Sequence, residues 1–218
     1  MNTQATPPVQ HLRITFGVDG PAKYVPHLDI TRAWVRALRR LGLAVAYSHG
    51  YHPHPRVALA APLPVGYAAE RELLEVFLDE PVAPDELAAR LRGALPGGLG
   101  VREVEAVPLQ SPPLASQVVA AEYAVVIPHP PTDLQARLER MLAAESLPFT
   151  RMRKDREVRF DLRPRILQAE AEERDGEAVL TLRLTHGPEG AARPEDVLSA
   201  LGMEWGEARA TRRRLILA

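Results

Sequence analysis

Residues 11–18 alternate Leu12, Ile14, Phe16 and Val18 with polar neighbours, the period of two expected of a half-buried strand. Asp19-Gly20-Pro21 ends it in a turn. Over 27–41 the apolar positions Ile30, Ala33, Trp34, Ala37, Leu38 and Leu41 recur at helical spacing, and Gly42 stops the helix. Asp29, or the residues just before it, is the candidate cap. Short extended pieces are expected at 43–47 and 57–61, and a near-continuous apolar strand at 73–78. Pro84-Asp85 opens a second helix over 85–95, which Pro96-Gly97-Gly98 closes, and alternation returns over 101–107. The order β-α-β-β-α-β is that of a split βαβ, or ferredoxin-like, unit.

The same order recurs further along. Strands are predicted at 123–127, 149–153, 178–184 and 207–217, with extended pieces at 158–162 and 166–172 and helices at 132–144 and 194–201. The expected fold is therefore α+β, with two tandem ferredoxin-like (βαββαβ) units whose antiparallel sheets carry helices on one face. The first unit is expected at 1–109 and the second at 122–218. Residues 110–121, which begin Gln-Ser-Pro-Pro-Leu-Ala-Ser, read as the linker.

Composition narrows the classes of function. With 46% apolar and 25% charged residues, the 218-residue chain can bury a core. There is no cysteine, so this chain supplies no disulfide, thiolate nucleophile or cysteine-held iron–sulfur cluster. No apolar run approaches the ~18 residues of a membrane span, and no signal-type amino terminus is present, so a cytoplasmic location is the default expectation. The net charge of −1 hides local asymmetry. Arginines concentrate at 32–40, 151–165 and 209–214, where they serve either as anion-binding patches or as charges that keep strand edges from pairing. No Walker loop, dinucleotide fingerprint or serine-nucleophile elbow occurs.

The unusual polar chemistry lies within 23–75, which contains four of the seven histidines. His27 and Asp29 stand at a helix start, where unpaired N–H groups favour anions. At about 100° per residue, Arg32, Arg36 and Arg39 fall opposite Trp34, with Arg40 at the margin. Such a stripe is either a solvated face or a phosphate-binding one. The loop His49-Gly50-Tyr51-His52-Pro53-His54-Pro55 holds two histidines extended before prolines. Tyr47 and Tyr51 are candidate stacking residues for single-stranded RNA, with Ser48, Gly50 and His54 beside them. His27, Asp29 and His54 are the alternative acid/base set. The same three with His52 are candidate metal ligands, although their spacing matches no established metal motif.

These residues also carry a resemblance. His27-Leu28-Asp29, the arginine helix, Tyr47-Ser48, Gly50, Pro53-His54-Pro55, Pro62-Leu63, Gly66 and Glu72 are similar to the pattern of the radical SAM-linked proteins, a domain of unknown function. Here Pro26, Tyr51 and His52 depart from that pattern. Members of that family resemble the carboxy-terminal part of B12-binding-type radical SAM proteins, or are encoded beside them, often among ribosome-related genes. The resemblance implies a radical SAM partner that would hold S-adenosylmethionine, the iron–sulfur cluster and cobalamin, and an RNA setting. Three functions follow as expectations: a non-catalytic RNA- or anion-binding module with no cofactor of its own, a metal- or histidine-dependent phosphodiester enzyme, and a protein-interaction scaffold.

Overall fold

The alternation of the first strand does what its pattern demands: Leu12, Ile14, Phe16 and Val18 are all buried. The structure, a computed structural model, describes residues 7–153, 156–187 and 190–218. Two units are distinguished, Met1–Gln117 and Val118–Ala218. The fold is mixed α/β with mostly antiparallel pairing.

In the first unit, β1 (Gln10–Val18) leads to α1 (His27–Arg40), β2 (Val57–Leu59), β3 (Ala68–Leu78), α2 (Pro84–Arg92), β4 (Leu99–Val107) and a single helical turn, α3 (Leu114–Gln117). The strand order is β4-β1-β3-β2 and every pair is antiparallel. Ile30, Ala33, Trp34, Ala37 and Leu38 form the buried face of α1, and the Trp34 indole meets Phe16 edge-on at 5.0 Å between ring centroids. This contact seats α1 on the apolar face of β1. Gly98 has a φ of +88°, and a Cβ there would stand 2.4 Å from the Asp19 carbonyl oxygen, so the turn before β4 requires glycine.

The extended pieces expected at 43–47 and 57–61 are not two successive strands. Val45 bridges Leu78, Ala46 N donates to Phe77 O at 2.8 Å, Phe77 N donates to Arg56 O at 3.0 Å, and Val57 pairs with Val76. Both pieces thus occupy one line along the edge of β3, and the histidine loop is an excursion from it. Register against a distant strand decides this, and local alternation does not encode that register.

In the second unit, β5 (Val118–Pro128), α4 (Leu134–Ala143), β6 (Pro148–Arg153), β7 (Arg156–Asp161), β8 (Ile166–Arg174), β9 (Glu177–Thr185), α5 (Pro194–Ala200) and β10 (Arg209–Leu217) follow in order. The main order is β10-β5-β9-β8, while β6 and β7 pair only with each other. Residues 118–121, expected to be linker, are the beginning of β5, where Val118, Ala120 and Ala121 are buried.

The arginine clusters of this unit serve local structure. Arg163 donates to the carbonyls of Leu142 and Ile166, Arg165 lies over the Phe160 ring at 4.1 Å, and Arg212 is buried. Glu122 accepts from Arg214 Nε at 2.6 Å and from Arg183 Nη2 at 2.6 Å. The Arg214 hydrogen bond comes first in holding the Glu122 carboxyl down, from 4.5 to about 2. A depressed carboxyl contributes stability that is complete above its unfolded value and is lost as pH falls through the folded one. Urea unfolding between pH 5 and 2 is therefore expected to show a loss of stability that Glu122→Gln removes; parallel pH profiles for the two proteins would contradict this. No helix among the described residues is long and apolar enough to cross a membrane.

Candidate functional site

The amino-terminal end of α1 is set by Pro26, whose extended backbone (φ −58°, ψ 144°) provides the cap position without a side-chain hydrogen bond. Asp29 is therefore not the cap. It is the third residue of the helix, close enough to the positive end of the dipole to be favourable there, and its Oδ1 accepts from Arg32 Nη1 at 2.8 Å. His27 begins the helix, and its carbonyl accepts from the Thr31 hydroxyl at 3.0 Å.

Because one face of α1 is committed to the core, Arg32, Arg36 and Arg39 are left exposed on another. They form one wall of a groove of about 380 Å³, with Val35 at its base and His54 and Pro55 across from them. The three guanidinium groups are not equivalent. Arg32 is partly neutralised by Asp29. Arg39 donates to the Tyr47 hydroxyl, with its guanidinium 6.0 Å from the Tyr47 ring centroid. Arg36 has no ion pair or hydrogen bond among the described residues. Arg40 lies outside the groove and donates to the Ala94 carbonyl beyond α2.

The opposite wall is rigid for reasons visible in the backbone. Tyr47 bridges Pro55, Ser48 N donates to His54 O at 2.8 Å, and His54 N donates to Ser48 Oγ at 3.0 Å. Arg56 N donates to Ala46 O at 2.8 Å and closes the neck. Gly50 takes a φ of +131° at the tip, where a side chain would strain the turn. Beyond this neck Tyr51 is 96% exposed and meets His52 edge-on at 5.1 Å.

Of the residues singled out in the sequence, Arg32, Arg36, Arg39 and His54 share the groove. Asp29 and Tyr47 join it through Arg32 and Arg39. Ser48 holds His54 in place, while Gly50, Tyr51 and His52 form the loop tip. His27 shares the helix but is not in the groove wall. Among the described residues no three His, Asp or Glu side chains are grouped to hold one metal ion. Val35 and Thr31 also line the groove, and their positions on the arginine face of the helix were the only signal for them.

A family model described as "Uncharacterized protein conserved in bacteria (DUF2344)" matches residues 11–194. The chain belongs to that family. The DUF2344 match takes in α1, the histidine loop and both walls of the groove. No curated protein matches the chain at a significant level. Among solved structures, a chain described as "Crystal Structure of a Cbf5-Nop10-Gar1 Complex" is 12% identical, with a TM-score of 0.51. The similarity covers 99% of this DUF2344 chain and 54% of that one, so the chain spans about half the length of its solved counterpart, and the likeness is one of fold alone. A second, "Crystal Structure of an Unknown Protein from Galdieria sulphuraria", is 14% identical over 95% of this chain and 99% of its own, with a TM-score of 0.27 that carries no structural argument.

Proposed function

We propose that this chain is a non-catalytic module that binds RNA along the α1 groove and works with a separate radical SAM enzyme in RNA modification or ribosome-related metabolism. The observation that carries the reading is the placement of Arg32, Arg36 and Arg39 along one groove with His54 on its far side. Arginine forks suit phosphate oxygens, and a row of them one helical turn apart suits a polymer better than a single anion. The exposed Tyr51 beside this groove favours a single strand, whose bases stack on aromatic rings.

Each unit is further read as ferredoxin-like. The orders β4-β1-β3-β2 and β10-β5-β9-β8 agree with that topology once the β6–β7 hairpin is treated as an insertion. The radical SAM partner rests on the motif resemblance of 27–72; with no cysteine in this chain to hold an iron–sulfur cluster, we read the cluster, and with it S-adenosylmethionine and cobalamin, as the partner's.

Binding of an oligouridylate, followed by fluorescence anisotropy across a salt series, tests the groove. Wild type is expected to show a linear fall of log affinity with log salt. The Arg32→Ala/Arg36→Ala/Arg39→Ala variant should lose about 0.7 from the slope per phosphate contact, about 2 in all. Equal affinity and equal slope for the two proteins would sink the assignment.

A further inference from the structure

The His54–Pro55 turn is the wall of a second cavity as well, one of about 320 Å³ reached from the other side of the β2 edge. Phe77 on β3 and Arg56, which precedes β2 in line with it, line this cavity, and His11 on β1 opposes Phe77 in the strand register. His11 stacks on Phe77 at 3.9 Å between centroids, and the Arg56 guanidinium lies 3.6 Å from the same centroid. Two groups that close to one ring must occupy its opposite faces, so Arg56 is held flat on Phe77. Among the described residues it has no ion pair.

Glu75 faces the same cavity and is 92% buried, leaving 8% of its surface exposed. Its Oε2 accepts from Leu114 N at 3.1 Å and lies 3.3 Å from His11 Nε2, whose Nδ1 faces the Pro108 carbonyl at 3.3 Å. Its Oε1 has no partner among the described residues. One carboxylate oxygen and an arginine fork thus border one cavity without pairing with each other, an acceptor beside donors that a planar polar ligand can bridge.

The geometry points to a guanine base in this cavity, delivered by the single-stranded RNA whose phosphates lie along the α1 groove; the inference rests on that RNA-binding reading. Guanine presents two adjacent donors, N1–H and N2–H, to one carboxylate, and its O6 and N7 accept from an arginine fork. Adenine would turn an acceptor toward Glu75, and uracil offers a single donor. The volume is at the lower end of small-ligand cavities, and Pro55, Leu109 and Pro113 supply apolar walls for a flat ring. Because Pro55 and His54 line both spaces, a strand crossing this turn places phosphates on one side and a base on the other.

The test uses the full chain and uridine oligonucleotides that carry one central guanosine, inosine or adenosine, with guanosine monophosphate as a free competitor. Wild type is expected to prefer guanosine over adenosine by about 5- to 150-fold, with inosine, which lacks the N2 amino group, between them. Glu75→Gln should abolish the preference, because an amide accepts only one of the two guanine donors and offers a donor to adenine N1, while the salt slope, set by the phosphate contacts, stays unchanged. Glu75 also holds Leu114 N, so Ala58→Trp, which fills the cavity from the exposed position paired with Glu75 across β2 and β3 and keeps the carboxylate, provides a second variant, and thermal unfolding reports whether each is folded. Equal binding of the guanosine and adenosine oligonucleotides by wild type, or an undiminished preference in both variants, overturns the cavity assignment and leaves the groove standing. Competitor binding that Glu75→Gln abolishes, with no oligonucleotide bound, keeps the cavity and removes the RNA reading.

Discussion

Replacing Arg151 with alanine is expected to cost about 3–5 kcal/mol of stability, the range for removing one partner of a buried ion pair. Arg151 Nη1 donates to Asp196 Oδ2 at 2.7 Å, and the same oxygen accepts from Arg193 N at 2.9 Å. The Asp196 side chain is only 4% exposed, so without the guanidinium a desolvated carboxylate retains one backbone donor. Burial pushes the Asp196 carboxyl up, and Arg151 is the largest force opposing it. A carboxyl whose folded value stands above its unfolded one favours the folded state more as pH falls, because the folded protein takes up the proton first. The Arg151→Ala deficit should therefore be largest near neutral pH and narrow toward about pH 4, where free Asp protonates. In Arg151→Ala/Asp196→Asn the charge is gone, and most of the lost stability should return. Urea unfolding of the two singles and the double closes the cycle. A deficit below about 1 kcal/mol, the ordinary value of an exposed pair, would show that water still reaches Asp196.

Arg151 also illustrates where sequence reading reaches and where it stops. Its position in an extended arginine-rich segment was plain, and an edge charge or an anion site were the available readings. Its partner is on α5, and nothing in the local pattern of 148–153 names Asp196. The same holds for Arg214 and Glu122, whose pairing depends on β10 lying beside β5. Alternation identified β6 and β7 as extended but could not assign them to a sheet, because period two is shared by every half-buried strand.

The site was legible in proportion to how local its determinants are. The common face of Arg32, Arg36 and Arg39 follows from helical spacing alone, since a helix with Ile30, Trp34 and Leu38 inward has only one place left for them. The position of His54 opposite them does not follow from spacing. It depends on the loop leaving and rejoining the edge of β3, with its neck closed by the Tyr47–Pro55 bridge. Glu75 carried a signal that went unused: a carboxylate within the apolar run Leu73-Leu74-Glu75-Val76-Phe77-Leu78 must either face solvent or find partners. It finds Leu114 N and His11, neither of which is near in sequence. Asp29 is the converse case. Its residue type favours a cap, but Pro26 already fixes the chain's entry into the helix, and the carboxylate turns to Arg32.

Trp34→Ala is expected to be the most damaging single change in the first unit, at about 3–5 kcal/mol, because the indole is fully buried and its loss leaves a cavity beneath α1. The indole N–H has no hydrogen-bond partner among the described residues, so Trp34→Phe removes volume without breaking a hydrogen bond. Phenylalanine also preserves an aromatic contact with Phe16, and its cost should be well under half that of alanine. The comparison extends from stability to binding. Trp34 is two residues from both Arg32 and Arg36, on the opposite face, and it is the contact that seats the helix on β1. If the groove depends on that seat, Trp34→Ala should bind oligouridylate more weakly even at temperatures where it remains folded, with a salt slope smaller than that of wild type, whereas Trp34→Phe should retain both. Wild-type binding by folded Trp34→Ala would mean that the arginines act as independent surface charges, each reaching a phosphate without help from the position of the helix.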